Sequence, residues 1–256
     1  AQGKCKRLIV NMPPRHTKSE FASVFFPSWI MGLKPDMKIM QTTHTAELSA
    51  RFGRKVRNLM DTDEYKQIFD KVSLSADSKS AGRWETNKGG EYVAAGVGGA
   101  ITGRGADLLI IDDPHSEQEA QVGAYNPEVF DKVFEWYTSG PRQRLQPGGA
   151  ICIVMTRWHK RDLTGRILKA AAESKTSDEW KVIQFPAIMP SGKALWPEFW
   201  SLKELSSLEN ELPISKWQAQ YQQDPTSEEG AIIKREWWSI WESEVPPPCE
   251  FIIQSW

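Results

Sequence analysis

Two periodicities of apolar residues alternate along the chain. Short apolar runs bounded by proline, glycine or polar residues predict buried strands, and apolar residues three or four positions apart predict helices. The predicted strands are Arg7–Met12, Lys38–Thr43, Asp107–Ile111, Ala150–Thr156 and Trp180–Phe185, with a hairpin over Arg83–Val97 that turns at Lys88–Gly90. The predicted helices are Lys18–Leu33 with a kink at Pro27, Thr45–Met60 with Thr45 as N-cap, Pro127–Leu145 bent or split at Gly140–Pro141, Leu163–Ala172, Leu202–Leu212 and Ile214–Gln223. This alternation indicates an α/β fold, in which helices cover both faces of a mostly parallel sheet.

The composition of the chain changes after about residue 190. Eight of the 12 tryptophans lie from Trp180 onward, and Pro246–Pro248 precedes a last strand-like segment, Phe251–Trp256. We therefore divide the chain into a core at residues 1–190, a small helical subdomain at 191–225, and a linker with the last segment at 226–256. Because nothing follows Phe251–Trp256 that would pair with it, we expect this segment to be the first strand of a further domain.

Composition excludes several classes of protein. The 256 residues are 40% hydrophobic and 25% charged, which is enough for one large or two modest domains with a sizeable core. A formal net charge of -1 excludes a highly charged disordered chain and a uniformly basic nucleic-acid coat. No apolar run approaches the roughly 18 residues that a membrane-spanning helix needs. Cys5, Cys152 and Cys249 form neither a disulfide framework nor a zinc motif, so we expect a soluble protein of a reducing compartment.

The charge is unevenly distributed. Residues 1–60 carry 11 basic and 3 acidic side chains, a net of +8, whereas the remainder carries 21 basic and 30 acidic, a net of -9. This asymmetry indicates a polyanion-binding surface at one end, with solvated faces of different sign as the alternative. The candidate phosphate contacts lie in one predicted helix and are Arg51, Arg54, Lys55 and Arg57. A solvated face or a subunit contact remains open for them, and the same alternatives apply to the second basic stretch, Arg157–Lys169.

The segment Met12–Ser19, with the sequence MPPRHTKS, lies between a predicted strand and a predicted helix. A phosphate-binding P-loop has this context: backbone N–H groups face the phosphates, the lysine reaches the β and γ oxygens, and the hydroxyl holds Mg²⁺. Met12 and Thr17 stand where glycines are usual, and a β-branched residue such as Thr17 resists a positive φ. An ordinary helix N-cap remains the alternative.

A second motif is the apolar strand Leu108–Ile111, which ends in Asp112 and Asp113. A Walker B element has this pattern: the first carboxylate reaches Mg²⁺ and the second polarises water. A buried strand followed by an aspartate N-cap is the alternative. The P-loop candidate lies upstream in the same chain, and one nucleotide site explains both motifs together.

Polar residues also follow two other predicted strands. They are Thr156, Arg157 and His159 after Ala150–Thr156, and Gln41–His44 at the end of Lys38–Thr43. Open α/β sheets bind ligands at the carboxyl ends of their strands, so these positions are candidates for contacts to a γ-phosphate. Plain strand-to-helix turns explain them equally well.

Five segments of the chain resemble the ATPase part of the large terminase subunit of tailed bacteriophages. In order, they are MPPRHTKS, IMQTTHTAELSARFGRKVR, GGAITGRGADLLIIDDP, VMTRWH and WQAQYQQDP. The resemblance implies a P-loop NTPase fold of the additional-strand type, with ATP and Mg²⁺ as ligands. It further implies a homo-oligomeric ring on a portal protein, a small terminase subunit as partner, and double-stranded DNA as the cargo that is driven into a capsid. The host cell cytoplasm is then the expected location, and the isolated chain is expected to be monomeric.

The resemblance also implies roles for individual residues. The phosphate-binding loop comprises Pro14, Arg15, His16, Thr17, Lys18 and Ser19. In this loop Arg15 reaches the γ-phosphate, and Lys18 and Ser19 contact phosphate and Mg²⁺. Asp112, after the second motif, is the Mg²⁺ carboxylate. Asp113 is the catalytic base, although the family more often has glutamate there, and Thr156 couples hydrolysis to movement.

The family also carries a C-terminal ribonuclease-H-like nuclease, whose first metal carboxylate follows a strand like Phe251–Trp256. We therefore expect this chain to stop before the nuclease. We also expect the adenine-contacting segment that usually precedes the first strand to be trimmed.

In a ring, an arginine from one subunit completes the ATP site of its neighbour. Arg104, in the glycine-rich loop before the Walker B strand, is the first candidate, and Arg83 is the second. A local salt bridge is the alternative for each.

Three other functions remain open. A metal hydrolase would use His16, His44, His115 and His159 with the two aspartates, although the sequence has no HxH or HExxH spacing. A helicase-like ATPase would act on nucleic acid outside packaging. A non-catalytic DNA-binding or assembly module would have a degenerate P-loop. Stacking of the late tryptophans on bases is less favoured than packing of a subdomain, because duplex DNA offers no splayed bases.

Overall fold

A computed structural model describes residues 3–226 with the exception of residues 102, 124–125, 175 and 177. The described strands are β1 (Arg7–Asn11), β2 (Lys38–Thr43), β3 (Leu74–Lys79), β4 (Arg83–Thr86), β5 (Glu91–Gly96), β6 (Ala106–Asp112), β7 (Leu145–Met155) and β8 (Lys181–Gln184). The described helices are α1 (Lys18–Glu20), α2 (Phe26–Leu33), α3 (Ala46–Met60), α4 (Asp63–Ile68), α5 (Glu117–Gly123), α6 (Val129–Ser139), α7 (Pro141–Arg144), α8 (Leu163–Glu173), α9 (Leu202–Glu211) and α10 (Ile214–Gln220). A π-helical segment, Phe21–Phe25, joins α1 to α2.

The strands form one sheet in the order β3-β4-β5-β2-β6-β7-β1-β8. The pairs from β5 to β8 are all parallel, and β3 and β4 add an antiparallel edge. Strand β7 lies between β1 and β6, so one strand separates the strand before the P-loop candidate from the strand that ends in the two aspartates. The carboxyl ends of β2, β6, β7 and β1 therefore meet at one edge of the sheet.

Two apolar clusters bury the sheet on its opposite faces, as the alternation of residues along β6 shows. Leu109 and Ile111 belong to one cluster, with residues of α6 and α8. Leu108 and Ile110 belong to the other, with residues of α2 and α3. Side chains of a strand point alternately to the two faces, so an uninterrupted apolar strand requires helices on both sides. This confirms the predicted α/β architecture.

The predicted strands and helices are observed, with differences at their ends. Strand β7 begins at Leu145 rather than Ala150. Residues 146–149, which include a proline and two glycines typical of a turn, are part of the strand. The pairing of β7 with β6 shifts register at this point. Helices α4 and α5 and strand β3 escape prediction. They are short and polar, so contacts with the rest of the fold rather than periodicity determine them.

The helical region after the P-loop candidate is continuous through Pro27, where the sequence predicts a kink. Pro27 is the second residue of α2, directly after the π-helical segment, and the chain remains helical from Lys18 to Leu33. A proline lacks the N–H that an α-helix needs, and a π-helical turn changes the hydrogen-bond register just before it. Of the predicted apolar stripe, Val24 and Ile30 are buried, whereas Phe21, Phe25 and Trp29 are exposed.

A separate apolar cluster lies within residues 187–221, around Ala187, Leu205 and Trp217. Helices α9 and α10 contribute to it, and Ser201 caps α9 in a capping box with Glu204. The division of the chain at residue 190 stays a prediction. The expected last strand, Phe251–Trp256, and the tryptophans after Trp217 lie outside the described residues. In the described part, no helix combines the length and apolar character that crossing a membrane requires.

Candidate nucleotide site

The P-loop candidate begins where β1 ends, and it adopts strained backbone conformations. The φ angles of Arg15 and Thr17 are 61° and 62°, in the left-handed region. Thr17 thus adopts the conformation that glycine supplies in other P-loops, at a cost of about 1–2 kcal/mol for an L-residue. Its hydroxyl donates to the carbonyl oxygen of His16 at 2.6 Å, which helps to hold this conformation. The candidate loop therefore adopts left-handed conformations without glycine.

Lys18 and Ser19 lie against the two aspartates that follow β6. The Nζ of Lys18 is 2.9 Å from Oδ2 of Asp113. The hydroxyl of Ser19 donates to Oδ1 of Asp112 at 3.1 Å, across 93 residues of sequence. Lys18 and Asp112 are both buried. The two motifs that the sequence predicts to form one site are therefore in direct contact.

Asp112 is 1% exposed and accepts a second hydrogen bond, from the hydroxyl of Ser23 to its Oδ2 at 2.7 Å. Burial and the neighbouring charge of Asp113 raise the pKa of Asp112 to about 7, against the opposing effects of Ser23, Lys18 and Ser19. Without a metal ion, this carboxyl group is therefore partly protonated near neutral pH. A divalent cation binds the deprotonated form, so such a site releases a proton when it is filled.

Asp113 links the ends of β6, β7 and β1. Its backbone lies in the left-handed region, with a φ of 41°. The N–H of Thr156 donates to Oδ1 of Asp113 at 2.8 Å, and the hydroxyl of Thr156 donates to the carbonyl oxygen of Met12 at 3.1 Å. Thr156 thus connects the second aspartate to the first residue of the P-loop candidate.

His16 packs against the C-terminal part of the described chain. Its ring stacks on Trp200 with centroids 6.1 Å apart, and its Nδ1 donates to the carbonyl oxygen of Pro14 at 2.8 Å. Burial lowers the pKa of His16, with Lys18 acting in the same direction and the bond to Pro14 opposing it. Burial thus favours the neutral form of the side chain, and the predicted contact of His16 with phosphate stays a prediction.

The basic stretch Arg157–Lys169 is largely paired within the chain. Arg157 is buried and forms an ion pair with Asp162 at 2.9 Å, and its N–H donates to Oε1 of Gln223 at 3.2 Å. Arg161 and Arg166 both contact Asp131, and Lys169 lies 3.9 Å from a carboxylate oxygen of Glu173. These contacts favour a structural role for the stretch over nucleic-acid binding.

Both candidate trans-acting arginines contact Glu91. Arg104 is 3.1 Å and Arg83 is 3.0 Å from Oε1 of this residue. Glu91 pairs with Lys38 at the first position of β5 and β2, so it marks the opposite edge of the sheet from the P-loop. Neither arginine lies at its own nucleotide site, and a contact with ATP would have to be made to another subunit's site.

The four basic residues of α3 differ in their surroundings. Arg51 and Arg54 are exposed, whereas Lys55 forms an ion pair with Glu20 at 2.7 Å. The guanidinium of Arg57 donates to Oδ1 of Asn58. On a helix, Arg51, Arg54 and Lys55 share one face because they are three and four positions apart.

The histidines do not support the metal-hydrolase alternative. His115 contacts the ring of Phe130 edge-on and His159 stacks on it, each with centroids 5.2 Å apart, and His16 packs on Trp200. Within the described ranges, no group of three or more His, Cys, Asp or Glu side chains is placed to hold a metal ion.

Two further polar side chains lie at the site: Ser23, for which the sequence predicts no role, and Gln41, which belongs to the candidate segment Gln41–His44. Ser23 contacts Asp112, and Nε2 of Gln41 donates to the hydroxyl of Ser23 at 2.8 Å. The i,i+4 spacing of Ser19 and Ser23 is a signal that could have identified Ser23, because it places both hydroxyls on one helix face. The contact of Gln41 with Ser23 depends on which strand lies beside β6, and local sequence does not determine this order.

The strand order, the inserted β7 and the loop between β1 and α1 define a P-loop NTPase fold of the additional-strand type. The solved structures that are similar to this chain include the large terminase ATPase domain of Thermus phage P74-26. An arginine-to-alanine variant of that domain has a TM-score of 0.54 and 14% sequence identity, and the match covers 87% of this chain and 90% of the other. The unsubstituted domain has a TM-score of 0.52 and 13% identity, with 88% and 90% covered. Comparisons with protein-family models and with curated proteins find no match.

The raised pKa of Asp112 predicts a pH dependence of stability. The folded, metal-free protein retains a proton on Asp112 up to about pH 7, whereas the unfolded chain loses it near its ordinary pKa of 3.8. The stabilisation from this proton is complete below the unfolded pKa and is lost as the pH rises through about 7. Asp112→Asn stays neutral throughout. Its free energy of unfolding relative to wild type should therefore rise by at least about 1 kcal/mol between pH 5 and pH 8.

Urea unfolding of both proteins in EDTA, at intervals from pH 5 to pH 8, measures this difference. A difference that stays constant with pH would contradict the account of Asp112.

Proposed function

We propose that this chain is an Mg²⁺-dependent ATP hydrolase that acts as the motor domain of a terminase, driving double-stranded DNA into a capsid. The observation that carries the proposal is the contact between the two motifs: Ser19 bonds to Asp112, and Lys18 pairs with Asp113. A P-loop NTPase places a hydroxyl, a lysine and two acidic residues in this relation around the terminal phosphates of its nucleotide. The fold shared with a large terminase ATPase domain supports the same conclusion.

The donor set fits magnesium bound together with a nucleotide. Mg²⁺ uses one or two protein oxygens and completes its octahedral shell with water and phosphate. Ser19 and Asp112 supply one hydroxyl and one carboxylate oxygen, and the described residues contain no all-protein metal cage. When bound, the ion neutralises charge on the phosphate oxygens.

The chain's own residues then have distinct tasks. Lys18 leaves Asp113 for the β- and γ-phosphates, and Arg15 reaches the γ-phosphate from the same loop. The carboxylate of Asp113, released from Lys18, accepts a proton from the attacking water. Thr156 bonds to both Asp113 and Met12. A shift of Asp113 during hydrolysis is therefore passed through Thr156 to the next residue, Arg157.

The packaging context extends the proposal to partners. Homo-oligomeric assembly on a portal protein, with a small terminase subunit, in the host cytoplasm, is what the terminase function implies. The position of Arg104 at the edge of the sheet opposite its own P-loop is compatible with a contact to the neighbouring subunit's ATP, and Arg83 is the second candidate. The face of α3 that carries Arg51, Arg54 and Lys55 is the proposed DNA contact, with Arg57 near its margin.

Lys18→Ala should lower ATP hydrolysis at least about 100-fold, because it removes the cation that stabilises charge on the transferred phosphate. Hydrolysis is measured with Mg²⁺ over a range of protein concentrations, with duplex DNA and without it. Lys203→Ala, an exposed lysine of α9, is the matched control and should retain the wild-type rate. The rate per chain should rise with protein concentration if a neighbour supplies an arginine.

The outcomes of this assay separate the alternatives. Absence of hydrolysis at every concentration, without ATP-induced thermal stabilisation, would contradict the proposal and favour a non-catalytic DNA-binding or assembly module. Stimulation by single strands or forks, with unwinding, would favour a helicase-like ATPase. A rate per chain that does not depend on concentration would contradict the arginine in trans alone.

Arg51→Ala and Arg54→Ala should each weaken binding to duplex DNA and reduce the slope of log affinity against log salt by about 1, because each removes one phosphate contact. Lys55→Ala should have a smaller effect, since Glu20 already pairs with this lysine. Fluorescence anisotropy of a labelled duplex at several salt concentrations measures the slope. Lys88→Ala, in the exposed turn between β4 and β5, is the control, and an equal effect there would contradict a specific face on α3.

A further inference from the structure

A chain of three buried polar side chains ends on the carboxylate of Asp112. Nε2 of Gln41 donates to the hydroxyl of Ser23 at 2.8 Å, and this hydroxyl donates to Oδ2 of Asp112 at 2.7 Å. Gln41 and Ser23 are 0% exposed and Asp112 is 1% exposed. Water therefore cannot substitute for a missing partner without entering the core. Neither Gln41 nor Ser23 has a role in the proposed hydrolysis of ATP.

The direction of these hydrogen bonds determines what they do. A serine hydroxyl has one hydrogen, and a carboxylate oxygen can only accept. Since Gln41 donates to Ser23, the serine oxygen already accepts a bond, and its hydrogen points to Oδ2. In addition, Oε1 of Gln41 has no partner among the described residues, so the contact that its amide makes is through Nε2. A buried amide of this kind requires an explanation.

The two residues reach Asp112 from different elements. Ser23 lies in the π-helical segment, four residues after Ser19, so one helix presents a hydroxyl to each carboxylate oxygen. Gln41 lies on β2, the strand that pairs with β6, and is in register with Ile110. The carboxylate is thereby held from the helix and from the neighbouring strand.

We propose that Ser23 and Gln41 are positioning residues that fix Oδ2 of Asp112, so that Oδ1 stays turned toward Ser19 and the magnesium position. This inference rests on the proposed function, because it assumes that Ser19 and Asp112 hold the ion of an Mg·ATP complex. Ligating carboxylates are oriented by hydrogen bonds from groups outside the coordination shell, and loss of such a partner typically costs 10–100-fold in metal affinity. In this proposal Ser23 and Gln41 act through Asp112 rather than through a contact with the nucleotide.

The test measures binding rather than activity. The dissociation constant of a fluorescent, non-hydrolysable ATP analogue is determined with Mg²⁺ and again with EDTA, and the ratio gives the contribution of the metal ion. Ser23→Ala should reduce this contribution about tenfold while the affinity in EDTA changes by less than about twofold. Ser23→Thr retains the hydroxyl and should restore most of the loss. Gln41→Met should cause a smaller loss of the same kind.

The chain offers a matched control in Ser28→Ala. Ser28 is a buried serine of α2 whose hydroxyl donates to the carbonyl oxygen of Val24, away from Asp112. Its substitution should leave the metal contribution unchanged. If Ser23→Ala does not fold, as judged by its melting curve, Gln41→Met decides the question.

The outcomes distinguish failure of the proposed function from failure of the positioning role alone. Wild-type protein that binds no analogue would contradict the proposed function, and the positioning role with it. Metal-dependent binding by wild type and an equal metal contribution in Ser23→Ala and Gln41→Met would overturn the positioning role alone. An equal loss in Ser23→Ala and Ser28→Ala would also overturn it, because general destabilisation would then explain the effect.

Discussion

Two adjacent carboxylates at the end of a fully buried strand impose the main electrostatic constraint on this fold. Asp112 is buried next to the charge of Asp113, so Asp112 needs compensation that water does not supply, whereas Asp113 is partly exposed. The compensation comes from Lys18, Ser19 and Ser23 on the helical region after β1, and from the N–H of Thr156 after β7. The constraint therefore brings three separate parts of the chain to one edge of the sheet.

The position of β7 between β1 and β6 gives this edge its connectivity. Thr156 follows β7 and bonds to Asp113 on one side and to Met12 on the other, so the acidic pair and the loop share one residue. The next residue, Arg157, is fixed by Asp162 and bonds through its N–H to Gln223, beyond α10. A short series of contacts thus leads from the carboxylate that pairs with Lys18 to the last described helices. This arrangement supports the proposal that a displacement at Thr156 during hydrolysis is passed toward Arg157.

Much of the fold and part of the site could be predicted from the sequence, for physical reasons that differ between residues. The run Leu108–Ile111 that precedes Asp112 and Asp113 is uninterruptedly apolar, and its burial on both faces favours a central strand. The prediction that the two motifs form one site follows from recurrent phosphate chemistry, and the structure places Lys18 and Ser19 in contact with the two aspartates. The contact of Gln41 with Ser23 depends on which strand lies beside β6, and local periodicity does not determine strand order. The positive φ of Thr17 likewise contradicts its local preference, and only the surrounding contacts can impose it.

The most direct test of the central claim is a crystal structure of the chain with Mn²⁺ and a non-hydrolysable ATP analogue, in which anomalous scattering locates the metal. The account predicts a metal peak between the hydroxyl of Ser19 and Oδ1 of Asp112, with Nζ of Lys18 moved from Asp113 to the phosphates. A nucleotide bound elsewhere, or a metal away from Asp112 with Lys18 still paired to Asp113, would contradict it.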